Sequence, residues 1–307
     1  MTLSGQVESS TGTMATTATN RRHWREPLVQ RLLERSREQN PEIVVERYAN
    51  KLRRDAGQDS LPIRPDQIAS IKGIRLRRAK GHPFAGRIYV EEDGQLVMDV
   101  NASDTPARQN FTQAHELIHT AFPNFKEEKR YRSETIEMER HPPNREEEYL
   151  CDYGAAALLM PAELVEGKYS VRNGLRDAER LAADARVSIE AAANRLVSLA
   201  DEPAILLCMV WMHKPADRSA LRRGDDIPRR LRVRYAFSRH LDIFLPRYKG
   251  CDEGSVYERA SRSHRSAPVE DVAHLPGLPQ AGLFRLQAKR YGAGDLERVL
   301  VIGRPTA

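Results

Sequence analysis

The sequence predicts an α+β protein in which a mostly helical region is followed by a smaller β-rich region. Segments with helical period fill most of the chain up to Leu199, interrupted by one predicted hairpin at 86–101. After Pro203 the pattern changes to short apolar runs, separated by loops that contain proline and glycine. We therefore divide the 307 residues into a tail at 1–24, a first domain at 25–201 and a second domain at 202–307.

Proline and capping residues mark where the predicted helices begin. The first two, at 27–39 and 41–56, each open with proline, which is favoured at the first helical position. A third follows Thr105 and stops at Pro123. A fourth is predicted at 144–160, where Asn144 and Glu147 have the spacing of a capping box. Further helices are predicted from there to about Leu199.

Alternation and turn residues mark the predicted strands. In the hairpin, Ile88 and Val90 alternate with other residues, Asp93-Gly94 makes the turn, and an apolar segment returns. The second domain is predicted to contain strands at 204–212, 230–237, 283–291 and 296–302.

The composition is typical of a soluble globular protein, with 30% charged and 40% hydrophobic residues. No apolar run approaches the roughly 18 residues that span a bilayer. The three cysteines are widely spaced and odd in number, which argues against a disulfide framework and against a cysteine-based zinc site. The N-terminal 20 residues lack the apolar core of a signal peptide, so we expect a disordered tail on a cytoplasmic protein.

Two histidines on the third predicted helix indicate a metal site. His115 and His119 are one helical turn apart, so their imidazoles can point at a common atom about 2 Å away. Glu116 lies between them, where it can reach a metal-bound water without being a ligand. The sequence HELIH therefore predicts Glu116 as the catalytic base and both histidines as metal ligands.

A catalytic zinc needs a third protein ligand, and the fourth predicted helix offers one. Taken alone, Glu148 is better explained as part of the solvated acidic run 146–148. Combined with the histidine pair, the ligand interpretation is favoured. Asp152, four residues later on the same face, is predicted to accept the free ring N–H of a ligand histidine.

These motifs together resemble the ImmA/IrrE family of metallo-endopeptidases. Members read roughly FTxAHELxH, then ExxxDxFAxxLLMP; this chain has NFTQAHELIH at 110–119, EYLCD at 148–152 and LLMP at 158–161. The resemblance covers about residues 45–165. Two positions depart from the pattern: Gly154 replaces the usual aromatic, and Ile118 replaces the usual glycine. Both are expected to affect packing rather than metal binding.

The resemblance implies a zincin-like fold, one Zn²⁺ or another divalent metal per chain, and both histidines and Glu148 as ligands. It also implies limited cleavage of a specific protein, such as a helix-turn-helix DNA-binding repressor, in a stress or mobile-element switch. The hairpin ending at Asn101 is a candidate to bind substrate as an added strand. No oxyanion donor is assigned, although Tyr149, Tyr153 and Tyr169 are candidates.

Two other functions stay open on the sequence alone. One is a DNA-binding regulator, since 181–200 resembles a helix-turn-helix and Arg230, Arg232 and Arg234 share one strand face. The other is a toxin–antitoxin component or scaffold with a structural metal. We favour a supporting role for the helices at 181–200 and a solvated arginine face over direct nucleic-acid binding. The reason is that the second helix could present only Arg195 and Asn194 to a DNA groove. A DNA-binding regulator that kept only a degenerate peptidase fold would have no need for Glu116.

Overall fold

The computed structural model describes residues 23–123, 125, 130–133 and 145–306. The predicted tail, apart from its last two residues, and the predicted N-cap Asn144 lie outside the described residues. The described chain is α+β, as the sequence predicts. Its helices are α1 Pro27–Ser36, α2 Pro41–Asp55, α3 Pro65–Ile71, α4 Pro106–His119, α5 Arg145–Leu159, α6 Ala162–Val165, α7 Leu175–Ala185, α8 Ile189–Ser198, α9 Arg218–Arg222 and α10 Val256–Arg262. Its strands are β1 Arg75–Ala79, β2 Phe84–Val90, β3 Leu96–Asn101, β4 Arg130–Ser133, β5 Ala204–Met212, β6 Arg230–Arg239, β7 Val269–Leu275, β8 Leu278–Tyr291 and β9 Arg298–Pro305.

The predicted hairpin is the centre of the first sheet, whose strand order is β1-β3-β2-β4. β2 and β3 are antiparallel, with Gly86 opposite Val100. β3 also pairs with β1, and β2 also pairs with β4, so each hairpin strand has a neighbour on both sides. The expectation that substrate adds to this hairpin is therefore wrong, because the edge strands of the described sheet are β1 and β4.

Helix α4 packs its apolar residues between the first sheet and α5. It begins after Thr105, whose side chain accepts a hydrogen bond from the backbone N–H of Arg108. Ala114, Leu117 and Ile118 are fully buried in the core that these elements share. The end of the helix is consequently held on both sides, and this end carries the HELIH motif.

The second sheet is antiparallel, in the order β6-β5-β9-β8-β7, and both of its faces are covered. Leu206 and Ile302 join the core formed by the helices of the first region. Ile205 and Val301 point the other way, into a separate core that includes α10. The proposed domain boundary near 201 falls in the loop between α8 and β5, but the sheet completes the core on the other side of that boundary.

In the described part of the chain, no helix combines the length and the apolar character needed to cross a membrane.

Candidate metal centre

Helix α4 places the two histidines and Glu116 side by side in the interior. His115 Nε2 lies 3.2 Å from His119 Nε2, and both rings are 1% exposed. Glu116 is fully buried on the same helix. The two ring nitrogens therefore point at one place, as the four-residue spacing predicts.

Helix α5 brings Glu148 to the same place. Its Oε2 lies 3.3 Å from His115 Nε2, and its Oε1 lies 3.7 Å from His119 Nε2. Ligand atoms around one tetrahedral zinc are separated by about 3.3–3.6 Å, given bonds of about 2.0–2.2 Å. The two imidazoles and the Glu148 carboxylate could therefore hold a single ion with little movement. The Glu148 side chain is 32% exposed, so the group opens to solvent on the Glu148 side.

The electrostatics of the cluster favour an ionised Glu148. Burial raises the pKa of this carboxyl, but the hydrogen bond to His115 and the charges of both histidines outweigh burial. The pKa of Glu148 therefore lies below its ordinary value. A carboxylate, rather than a carboxylic acid, is the form that binds a metal.

A second carboxylate holds the far side of each histidine ring. Asp152 Oδ1 lies 2.9 Å from His115 Nδ1, where the sequence predicts a histidine partner. Glu147 Oε1 lies 2.9 Å from His119 Nδ1, a contact that the sequence reasoning missed. Both Nδ1 atoms are thereby occupied, which leaves both Nε2 atoms to face an ion. The helical spacing could have predicted this contact, since Glu147 lies on the same buried face of α5 as Cys151 and Gly154.

Glu146, the first member of the acidic run, also has a structural role. Its carboxylate accepts hydrogen bonds of 2.9 Å from the backbone N–H groups of Arg25 and Glu26, just before α1. In return, the Glu26 carboxylate accepts from the N–H groups of Glu146 and Glu147 at the start of α5, at 3.0 and 3.2 Å. The starts of α1 and α5 therefore hold each other, and Glu146, like Glu147, is engaged within the protein rather than simply solvated.

Cys151 is a second possible partner for a metal. With His115 and His119 it forms a buried group whose ligand atoms lie within 4.8 Å of one another. However, its Sγ is 3.4 Å from His119 Nδ1, on the side of the ring that Glu147 already holds. Burial, followed by the charges of nearby carboxylates, also raises the pKa of its thiol well above the ordinary value. We therefore favour Glu148 over Cys151 as the third ligand.

Two glycines allow the elements of the site to approach closely. A Cβ on Gly86 of β2 would lie 2.3 Å from Thr112 Cγ2 and 3.3 Å from Glu116 Oε1. A Cβ on Gly154 of α5 would lie 2.8 Å from Ile118 Cγ2. The two departures from the ImmA/IrrE pattern are thus in direct contact, and the missing side chain at 154 makes room for the larger one at 118.

Several other predicted candidates are engaged outside this cluster. The hydroxyl groups of Tyr149, Tyr153 and Tyr169 donate to Glu42, Glu46 and Asp184 respectively, so none is directed at the histidines. Arg195 is buried and donates to Met160 O and Glu46. Asn194 donates to Glu190 O and the Tyr235 hydroxyl. These internal contacts support the interpretation of α7 and α8 as helical support.

Comparison with known proteins agrees with this geometry. Residues 69–197 match a peptidase family model described as the IrrE N-terminal-like domain, and the match spans α4, α5, α7 and most of α8. A search of curated proteins finds no significant match to the chain. Residues 69–197 therefore form an IrrE N-terminal-like domain, as the resemblance to the ImmA/IrrE family predicts.

Proposed function

We propose that this protein is a zinc-dependent endopeptidase that cuts a specific protein at a limited number of sites. The observation that carries the proposal is the convergence of three side chains. His115 Nε2 and His119 Nε2 lie 3.2 Å apart, and the two Glu148 carboxylate oxygens lie 3.3 Å from the first and 3.7 Å from the second. The motif carboxylate Glu116 is buried on the same helix, and the family match independently indicates a metal-dependent protease.

Each side chain has a distinct proposed role. His115, His119 and Glu148 hold the metal, while Asp152 and Glu147 fix the ring orientations. A bound divalent ion would polarise the peptide carbonyl and acidify water. Glu116 removes a proton from the attacking water and returns it to the leaving amine as the peptide C–N bond breaks. Its burial excludes bulk water from the carboxylate, which keeps the proton within the site.

The first prediction separates the base from the ligands. Glu116→Gln keeps the shape of the side chain but removes the proton acceptor. We expect unchanged metal content and folding, with cleavage reduced by about 10²–10⁴-fold. Metal is measured by elemental analysis, and cleavage by mass spectrometry of new peptide termini in a protein digest. The matched control is Glu166→Gln, an exposed glutamate outside the cluster, which should leave both quantities unchanged. Undiminished cleavage by Glu116→Gln would refute the peptidase proposal.

For the substrate, we propose a helix-turn-helix repressor that acts in a stress or mobile-element switch in the cytoplasm. The family match supports a metal-dependent protease. The three free cysteines are typical of a protein in a reducing compartment. Incubation with the repressor encoded nearby, with and without metal, should give one metal-dependent cut detectable by mass spectrometry. An uncut repressor would contradict this substrate without contradicting the peptidase.

Direct DNA binding by this chain is the rival explanation for a regulatory phenotype. The internal contacts of Arg195 and Asn194 argue against it, because these are the side chains that the second helix would present to a groove. In cells, the two functions predict opposite results. Glu116→Gln should behave like a gene deletion if the protein is a peptidase, and like the wild type if it acts by binding DNA.

A further inference from the structure

A cavity of about 570 Å³ lies at the N-terminal end of α4, away from the histidines. Its walls come from the start of α4 and from the turn between α7 and α8. Arg64, Arg78 and Arg186 line it, and we call it the arginine cavity. One carboxylate, Asp66, also lines it, and the other wall residues are mostly small and apolar, including Pro106, Ala107, Ala182, Ala183 and Val187.

The arginine cavity has a surplus of positive charge. Arg64 is paired with Asp66, at 3.2 Å. Among the residues that the structure describes, Arg78 donates only to the neutral Gln113, at 3.4 Å, and Arg186 has no ion pair. The first turn of α4 contains no acidic residue, so the partial positive charge of this helix end adds to that of the arginines.

We propose that the arginine cavity binds an acidic segment of the protein substrate, an inference that rests on the proposed peptidase function. Guanidinium groups bind carboxylates through paired hydrogen bonds, and the apolar walls suit the methylene groups of glutamate. Single-stranded nucleic acid is favoured less, because its binding sites combine basic grooves with aromatic side chains that stack on bases. The lining residues include no aromatic side chain.

The position of the cavity sets where the acidic segment should lie in the substrate. Pro106 lines the cavity and His115 belongs to the metal cluster, and both are on α4. At 1.5 Å per residue, this part of the helix is about 13 Å long. An extended peptide covers that distance in about four residues. The acidic segment should therefore lie at least about four residues from the bond that is cut.

The test is a binding measurement on the full chain carrying Glu116→Gln, so that no probe is cleaved. The probes are fluorescein-labelled hexaglutamate, hexaglutamine and a ten-nucleotide oligothymidine, followed by fluorescence anisotropy. We expect hexaglutamate to bind in preference to hexaglutamine, with an affinity that falls as salt is added. Arg78→Ala with Arg186→Ala should weaken hexaglutamate binding about tenfold. The matched control is Arg222→Ala with Arg229→Ala, which removes two exposed arginines outside the cavity.

Three outcomes would overturn the inference. They are equal binding of the two peptides, equal weakening by the control pair, and tighter binding of oligothymidine that depends on Arg78 and Arg186. Cleavage by the wild-type chain is measured separately. Cleavage without selective hexaglutamate binding removes the acidic-segment proposal alone, whereas selective binding without cleavage removes the peptidase proposal. The two failures are therefore distinguishable.

Discussion

The carboxylates that hold the two histidines differ sharply in exposure. The Glu147 side chain is 1% exposed, whereas the Asp152 side chain is 53% exposed. Water can replace a lost acceptor at Asp152 but cannot easily reach His119 Nδ1. The consequence of removing each partner should therefore differ, although both contacts measure 2.9 Å.

The second prediction follows from that difference. Asp152→Ala should lower metal affinity toward the smaller end of the about 10–100-fold range for such partners. Glu147→Ala should reach the upper end or exceed it. Competition with a chelator of known affinity measures both, and Asp201→Ala is an exposed control. Equal losses in the two variants would mean that burial does not govern these contacts.

The third prediction concerns the contact between Gly154 and Ile118. Helix propensity alone would make Gly154→Ala stabilising by about 1 kcal/mol. The 2.8 Å approach to Ile118 Cγ2 instead predicts overpacking, which typically costs about 1–3 kcal/mol. In urea unfolding, Ile118→Ala should relieve part of that cost in the double variant, so the two effects should not add. A Gly154→Ala protein more stable than the wild type would show that the contact has room for the added methyl group.

For single residues, the sequence predicted the site residues that follow a helical spacing. It missed the residues whose role depends on contact with a distant part of the chain. His115, His119, Glu148 and Asp152 were found because each follows a helical period, and the structure brings all four together. Glu147 was missed because a carboxylate in an acidic run is usually solvated. Gly86 was missed because nothing local shows that Thr112 approaches its backbone.

Among the elements, α5 depends on α1 for its position. Glu26 accepts the first N–H groups of α5, and Glu146 accepts those just before α1. Glu147, Glu148 and Asp152 all follow within two turns. Any shift at the start of α5 is therefore transmitted to the side chains that meet the histidines.

The fourth prediction tests the contact between these two helix starts. Glu26→Ala should lower the free energy of unfolding by about 0.5–2 kcal/mol, the usual range for a lost helix cap. It should also weaken metal binding, because the start of α5 is released. Glu26→Gln keeps an acceptor oxygen and should restore most of both quantities, while the exposed control Glu34→Ala should change neither. Unaltered metal affinity in Glu26→Ala would show that α5 is held by its other contacts.

An element could be predicted from the sequence when its own residues stabilise it, and could not when pairing with a distant segment does. β5 spans Ala204–Met212, as predicted, because its apolar run is buried on both faces. β1, with the sequence RLRRA, gave no alternation, and it becomes a strand by parallel pairing with β3. That pairing joins segments about 20 residues apart, so no pattern within either segment predicts it.

For the molecule as a whole, the second sheet acts as a wall of the first core. Leu206, Cys208, Leu300 and Ile302 face the helices of the first region. Polar contacts reinforce the junction: Gln287 Oε1 accepts the N–H of Leu175 at the start of α7, at 2.9 Å, and Lys289 pairs with Glu179. The helices that support α5 are thus covered by strands from beyond the proposed boundary.

The fifth prediction concerns a chain that ends at Asp201. All proposed ligands precede that point, so this chain should still bind one metal ion. It should unfold at a lower urea concentration and bind an apolar dye, because the core face that the sheet covers becomes exposed. Intact protein of full length is the control. An unchanged unfolding midpoint would establish 25–201 as an independent domain.

Because the histidines lie on α4 and Glu148 on α5, the width of the proposed ion site depends on the separation of two helices. The two helices approach closely where Gly154 meets Ile118, at atoms outside the proposed ligand set. Selectivity among divalent ions of different radius is consequently open to tuning from outside the coordination sphere.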